Sequence, residues 1–433
     1  MMPCVLVAQL GARMHYAVPR ILHEAGALDR FFTDICATGA WARTLGALPA
    51  GIVPRGLRRL AMRRPVAIPH DRITAFTAFG LGYARRRTRA RTVTEETWNH
   101  LRAGREFCER ILASGFGKAT MVYAFNSAAL ELLVEARRAG LTTVLEQTIA
   151  PAELVDTLLL EQLRRFPDWG APLADRDAAE MFYARERAEW AAADLIVCGS
   201  EFVRESISRC GGPADRCVVV PYGVDHRFSL PPREPRQGPL HVLTIGEVGL
   251  RKGSPYVLEA ARRLVGSATF RMVGPCSLPA RIIDGAPSNL EILGPVPRGD
   301  IMRHYAWADV FLLPSICEGS ATVVYEALTA GLPVICTPNT GSVVRDGVEG
   351  FIVSAGDPDG IVHALDKLAR DPALRRTMAE RAGARSREFD LASYGRRLLS
   401  ALCQAAGDPC PSPALSPAPS HAGQPSSHVV SAF

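Results

Sequence analysis

Two glutamates, Glu318 and Glu326, stand with seven residues between them in VFLLPSICEGSATVVYEALTAGLPVICTPNTG (residues 310–341). Carboxylates accept hydrogen bonds from hydroxyls, so such a pair suits a ligand bearing two polyol groups. The apolar run 310–313, closed by Pro314 and Ser315, reads as a buried parallel strand, and 334–337 reads as the next one. Residues 320–330 have helix-forming composition and stop at Gly331-Leu332-Pro333. In a strand-loop-helix unit the ligand lies at the carboxyl end of the strand, against the free N–H groups of the helix start, and that end favours a diphosphate. If the helix opens near Gly319, Glu326 lies about two turns along, roughly 10–12 Å farther at 1.5 Å per residue. A carboxylate would then flank the diphosphate on either side, which is the layout of a nucleotide sugar. The same spacing also fits a capping glutamate and a solvated one on an ordinary helix.

The surrounding residues carry a resemblance. PSICEGSATVVYEALTAGLPVICTPNTGSVVRDGVEGFIVSAGDP resembles the C-terminal signature of the large retaining glycosyltransferase family 4, with its E-x7-E motif. VVVPYGVDHRF (218–228), LTIGEVGLRKGSPYVLEAARRL (243–264) and LGPVPRGDIMRHYAWADVFLLPS (293–315) resemble the family's other blocks, in order, so the likeness covers residues 218–358. It implies that Glu318 contacts the hydroxyls of the donor sugar and Glu326 the ribose. Arg251 and Lys252 would neutralise the diphosphate, and the backbone of Gly319, Ser320, Ala321 and Thr322 would complete its cradle. The chemistry agrees: Arg forks onto two phosphate oxygens, Lys adds a point charge, and both stabilise charge growing on a departing nucleoside diphosphate. The resemblance further implies hexosyl transfer to an acceptor hydroxyl with retention, from a UDP- or GDP-sugar, with no side-chain nucleophile. No tightly bound cofactor and no metal are expected.

The elements that must position these groups follow from the punctuation of the chain. Strand patterns at 4–8, 120–123, 143–145, 195–198 and 218–220 alternate with helical ones, a second alternation runs from His241 to about Leu368, and PPREPRQGP reads as a linker between them. The expected fold is α/β, with two Rossmann-like doubly wound domains facing across a cleft, the arrangement the resemblance calls GT-B. The expected division is an acceptor-side domain over 1–230, a linker over 231–239, a nucleotide-sugar domain over 240–404, and a Pro/Ser/Ala-rich disordered tail over 405–433. In GT-B proteins the last helix often crosses back, and 394–402 is the candidate.

Within the first domain, Gly11 follows the first strand where many relatives have two glycines approaching the donor phosphates, so it is either a donor-binding residue of a phosphate-contacting loop or part of a plain strand-helix turn. Arg13 and His15 nearby are within reach of a cleft, and His15 is a candidate for the acceptor or sugar side. Many relatives also carry a histidine after the strand at 143–145, where this chain has Glu146 and Gln147. These two either line the sugar site or serve as strand-end polar residues; Gln hydrogen-bonds but does not titrate.

The 433 residues exceed one typical domain, and 48% apolar content fills two cores. Eleven cysteines are scattered with no C-x-x-C pair, which argues against a disulfide framework or a zinc site. The start, MMPCVLVAQLG, lacks a signal-peptide pattern and no apolar run reaches about 18 residues, so the expected location is cytoplasmic. Between Arg43 and Arg91 there are 12 arginines against one acid, Asp71, in a chain of net charge +6. This basic stretch fits an anionic membrane face, a lipid-linked acceptor or a solvated surface, and fits nucleic acid poorly for want of stacking aromatics. Taken together, the sequence reads as a transferase of cell-surface polysaccharide or glycolipid synthesis using a glycan, lipid-linked or small-molecule acceptor. A sugar-nucleotide epimerase, a phosphorylase and a non-catalytic binding protein on the same fold are the rivals.

Overall fold

The computed structural model describes residues 2–37, 63, 65, 67–170, 173–224, 230 and 238–407. Most of the basic stretch before Pro65, most of the Pro-rich linker and the tail from 408 lie outside the described residues.

Two parallel sheets organise the chain. The first has the order β3-β2-β1-β4-β5-β6-β7, with β1 (Val5–Gln9), β2 (Leu28–Thr33), β3 (Ile73–Ala75), β4 (Met121–Phe125), β5 (Thr142–Gln147), β6 (Leu195–Cys198) and β7 (Cys217–Val219). The second has the order β10-β9-β8-β11-β12-β13, with β8 (Leu240–Ile245), β9 (Ala268–Val273), β10 (Leu290–Ile292), β11 (Val310–Leu313), β12 (Val334–Cys336) and β13 (Gly350–Ile352). Central strands such as β1, β4 and β11 are buried along their whole length. Helices cover both faces of each sheet, so these strands are continuous apolar runs rather than alternating ones. The two Rossmann-like domains expected from the sequence are therefore present.

This topology decides where a ligand can bind. Strand order reverses between β1 and β4 in the first sheet and between β8 and β11 in the second, and loops diverge there to leave a crevice at the carboxyl ends. The loops after β8 and β11 thus lie side by side, which is why residues 66 and 67 apart in sequence meet.

The domains exchange segments. Helix Ala152–Arg165 and the following turn Pro167–Trp169 lay Leu158, Leu163, Phe166 and Trp169 against the core of the second domain. There Tyr256 donates to Gln162 Oε1 at 2.5 Å and Arg165 donates to the Gly356 carbonyl at 2.9 Å. Conversely, helix Leu391–Ala405 leaves the second domain and buries Tyr394, Leu398, Leu399 and Leu402 with Val5, Tyr16 and Leu22 of the first. Its three leucines, at roughly 1.5–3 kcal/mol each, make the return crossing a substantial part of the first core. Asp390 caps this helix by accepting from the Ser393 N–H at 2.6 Å.

Candidate functional site

The second-domain half of the crevice is built from three pieces. The loop after β8 ends in a short turn, Leu250–Lys252, that carries Arg251 and Lys252. The loop after β11 carries Glu318. Arg251 Nη1 reaches Glu318 Oε1 at 2.6 Å and Lys252 Nζ reaches the same oxygen at 2.8 Å. Glu318 and Lys252 are both nearly buried. Desolvation holds Lys252 below the usual ammonium range, reinforced by Arg251 and opposed by Glu318. Glu247 also faces Lys252. The third piece is helix Thr322–Thr329, whose N-cap residue, Ala321, makes no side-chain cap bond. By contrast, Thr92, Asp175, Ser200, Asp357, Asp371 and Asp390 all cap their helices. An uncapped helix start points backbone N–H groups and the positive end of the helix dipole outward.

The helix opens at Thr322 rather than near Gly319, so Glu326 lies little more than one turn in. The cause is local: the Glu318 N–H donates to the Asn339 carbonyl and the Ala321 N–H to Thr340, which holds residues 318–321 as a loop. The Ala321 N–H is therefore already used within the protein, a correction to the cradle expected from the sequence. Ser320 is buried with its hydroxyl 2.8 Å from Tyr325 Oη, which places its side chain in the packing beneath the loop. Glu326 Oε2 accepts from Tyr305 at 2.8 Å, fixing that carboxylate from the neighbouring helix.

The first domain grips this loop directly. Ser200 donates to the Gly319 carbonyl at 2.5 Å while its Oγ also caps helix Glu201–Arg209. A Cβ placed on Gly319 would lie 2.8 Å from the Thr148 carbonyl carbon and 2.9 Å from Ile149 Cα, so only glycine permits this approach. Thr148 Oγ1 in turn accepts from Arg13 Nη1 at 2.7 Å and donates to Asn126 Oδ1 at 2.8 Å. Gly11, with φ of +87°, donates its N–H to Asp34 Oδ1 at 3.0 Å. Beyond it, Met14, His15 and Tyr16 all adopt left-handed backbone, φ 44°, 50° and 62°. Three such non-glycine residues cost on the order of 1–3 kcal/mol each and need surrounding structure to hold them. Gln9 provides it, donating from Nε2 to the Gly11 and Arg13 carbonyls, each at 3.1 Å, while the buried Tyr16 hydroxyl bonds the Ile35 carbonyl. His15 lies exposed on this turn.

Glu146 and Gln147 are buried at the end of β5, with their side chains bonded within the first domain. Glu146 is fully buried, its two oxygens accepting from Tyr123 at 2.6 Å and Tyr222 at 2.9 Å. Burial pushes its carboxyl above the usual range against the pull of both hydroxyls. Gln147 donates to Ile149 and Glu186 and accepts from the Trp190 indole. Both side chains are thus directed into the first domain because its core supplies them with partners. The sequence reading passed over Ser200, Thr148 and Tyr305; Ser200 was visible as a helix-capping serine, whereas nothing local marks the other two. Among the described residues no group of three or more His, Cys, Asp or Glu side chains could hold a metal ion.

The profile of the glycosyl transferases group 1 family matches residues 239–371, the segment carrying Arg251, Lys252, Glu318 and Glu326. Among curated proteins, the chain is 27% identical over 197 residues to the amylovoran biosynthesis glycosyltransferase AmsK of Erwinia amylovora, covering 42% of this chain and 48% of that protein. It is 31% identical over 242 residues to the D-inositol 3-phosphate glycosyltransferase of Xylanimonas cellulosilytica, covering 50% and 58%. The matches thus span about half the length of these relatives. Among solved structures, Anabaena Alr3699/HepE in complex with UDP-glucose superposes with a TM-score of 0.59 at 17% identity, over 92% of this chain and 99% of that one, a likeness of fold. The shared profile lies on the domain that holds the paired glutamates and the two cations, so this domain is similar to the glycosyl transferases group 1 family, and the two domains together have the GT-B fold.

Proposed function

We propose that the protein transfers a hexose from a nucleoside-diphosphate sugar, UDP- or GDP-linked, to an acceptor hydroxyl in the synthesis of a cell-surface polysaccharide or glycolipid. The observation that carries this reading is the convergence of Arg251, Lys252 and Glu318 beside the uncapped start of helix Thr322–Thr329. The diphosphate would lie on that helix start and draw Arg251 and Lys252 from Glu318, whose freed carboxylate then accepts from sugar hydroxyls. Glu326, steadied by Tyr305, would take the ribose. The cations stabilise negative charge where it grows as the nucleoside diphosphate departs. Transfer proceeds with retention on one face of the sugar, the departing phosphate taking the acceptor proton, and needs no side-chain nucleophile. Relatives named for polysaccharide and lipopolysaccharide synthesis support the acceptor class. The reaction would take place on the cytoplasmic side of a membrane.

The test is a thermal-shift series against UDP-, GDP-, ADP- and dTDP-sugars, repeated with Glu326→Ala and with Arg251→Ala plus Lys252→Ala. A ligand at 100 times its dissociation constant adds about 2.7 kcal/mol, so a true donor raises the midpoint visibly and the variants abolish the rise. No rise with any donor in folded protein refutes the reading.

A further inference from the structure

We propose that Arg13 is the first domain's own cation for the donor diphosphate, so that the charge of the leaving group is met from both sides of the crevice. The proposal rests on the nucleotide-sugar reading of the site.

Charge balance motivates it. Arg251, Lys252 and Glu318 together carry one net positive charge, and Glu247 lies close enough to Lys252 to offset part of it. That is too little to neutralise a departing diphosphate, so a further cation is wanted. Arg13 is exposed, and it ion-pairs with no carboxylate among the described residues. Its Nη1 donates to Thr148 Oγ1 at 2.7 Å, and that hydroxyl is oriented by donating onward to Asn126. The backbone carbonyl of the same Thr148 sits against Gly319, the residue after Glu318. One residue therefore links the guanidinium to the loop on which the diphosphate would lie.

The backbone shows that this placement is imposed. Gln9 clamps the Arg13 carbonyl, and the left-handed run Met14-His15-Tyr16 begins at the next residue. A guanidinium held at the seam binds two phosphate oxygens at once and does so only while the two domains are together, which couples closure of the crevice to charge neutralisation.

Isothermal titration of UDP, GDP and the matching monophosphates into the full chain tests this, with Arg13→Gln and Arg13→Lys as variants. For whichever diphosphate the unmodified protein binds, Arg13→Gln should raise Kd about tenfold, or 1.4 kcal/mol. Arg13→Lys should recover part of that loss, and the preference for diphosphate over monophosphate should shrink in the Gln variant. The side chain is exposed and makes one hydrogen bond, so the unfolding midpoint of both variants should stay near that of the parent, and the Lys variant preserves the test if the Gln variant folds poorly. Equal diphosphate affinity in parent and Arg13→Gln overturns the proposal. So does a loss confined to the KM of the acceptor. Absence of nucleotide binding by the parent itself is a separate result, which removes the donor-site reading and this inference with it.

Discussion

Replacing Gly319 with alanine puts one carbon atom into the seam between the domains. The added Cβ would stand 2.8 Å from the Thr148 carbonyl carbon and 2.9 Å from Ile149 Cα, both backbone atoms that cannot swing aside. Carbon pairs favour about 3.5–4.0 Å, and the Thr148 carbonyl oxygen stands closer still, so the loop and the first domain must separate by at least about 1 Å. Overpacking of this kind costs typically 1–3 kcal/mol. At about 2–4 °C per kcal/mol the unfolding midpoint should fall by about 2–12 °C. The catalytic effect should be larger, because a shift of roughly 1 Å in a reacting group can cost on the order of 100-fold in rate. The assay is thermal unfolding beside steady-state turnover on the donor found by the thermal-shift series. Gly383→Ala is the control: it lies in helix Pro372–Ser386 with nothing within 4 Å of the new atom, so it should be neutral or slightly stabilising. A Gly319→Ala protein with unchanged midpoint and turnover would refute the claim that this contact sets the site.

Three further outcomes are expected. Glu146→Ala leaves the Tyr123 and Tyr222 hydroxyls buried and unpaired, at about 1–3 kcal/mol each, so urea unfolding should show a loss of a few kcal/mol while donor KM stays within twofold; a large KM change with little loss of stability would return Glu146 to the sugar site. Burial pushes the Glu186 and Glu189 carboxyls from 4.5 up to about 7, so the folded state holds these protons more tightly than the unfolded chain. Their contribution is complete below about pH 4.5 and is lost as pH rises through 7, on the order of 3 kcal/mol per group; unfolding midpoints from pH 5 to 8 should decline, and Glu186→Gln should flatten about half of the decline. Leu81 and Trp98 stand exposed on helices Thr77–Arg89 and Val93–Ala113, the former bearing Arg85 and Arg89. At about 1 kcal/mol per charge, Arg85→Gln with Arg89→Gln should lower sedimentation with anionic vesicles at least tenfold, and unchanged binding would assign these arginines to a solvated face.

The sequence was most legible where apolar runs were unbroken. β4, β6 and β11 appear as such runs, and their order with the intervening helices declares the two-domain class. β2 was hidden because Asp29 and Arg30 interrupt LDRFFT; Arg30 is tied down by the Ser114 and Gly115 carbonyls, a partnership 84 and 85 residues away that local pattern cannot reveal. β3 has three half-buried residues at a sheet edge and leaves almost no periodic signal. In the candidate site, Glu318, Arg251 and Lys252 were named through the resemblance of their motifs to family blocks, each in a loop that follows a recognisable strand. The roles of Glu146, Gln147, Thr148 and Tyr305 depend on which side chains arrive from elsewhere in the chain. Tyr222 reaches Glu146 across 76 residues, and no spacing rule predicts it.

The reciprocal exchange of segments bears on how the molecule is made. The first domain leaves the ribosome early, but Tyr394, Leu398 and Leu402, which complete its core, are among the last described residues to emerge. Until they arrive, the faces of Val5, Tyr16 and Leu22 stay open to water, and the nascent first half depends on its own sheet alone. Helix Ala152–Arg165, already synthesised, must likewise wait for the second core. Neither lobe can therefore be inherited as a self-sufficient cassette: a recombinant exchanging second domains between relatives would have to leave Leu391–Ala405 with its original first domain and carry Ala152–Trp169 across with the second.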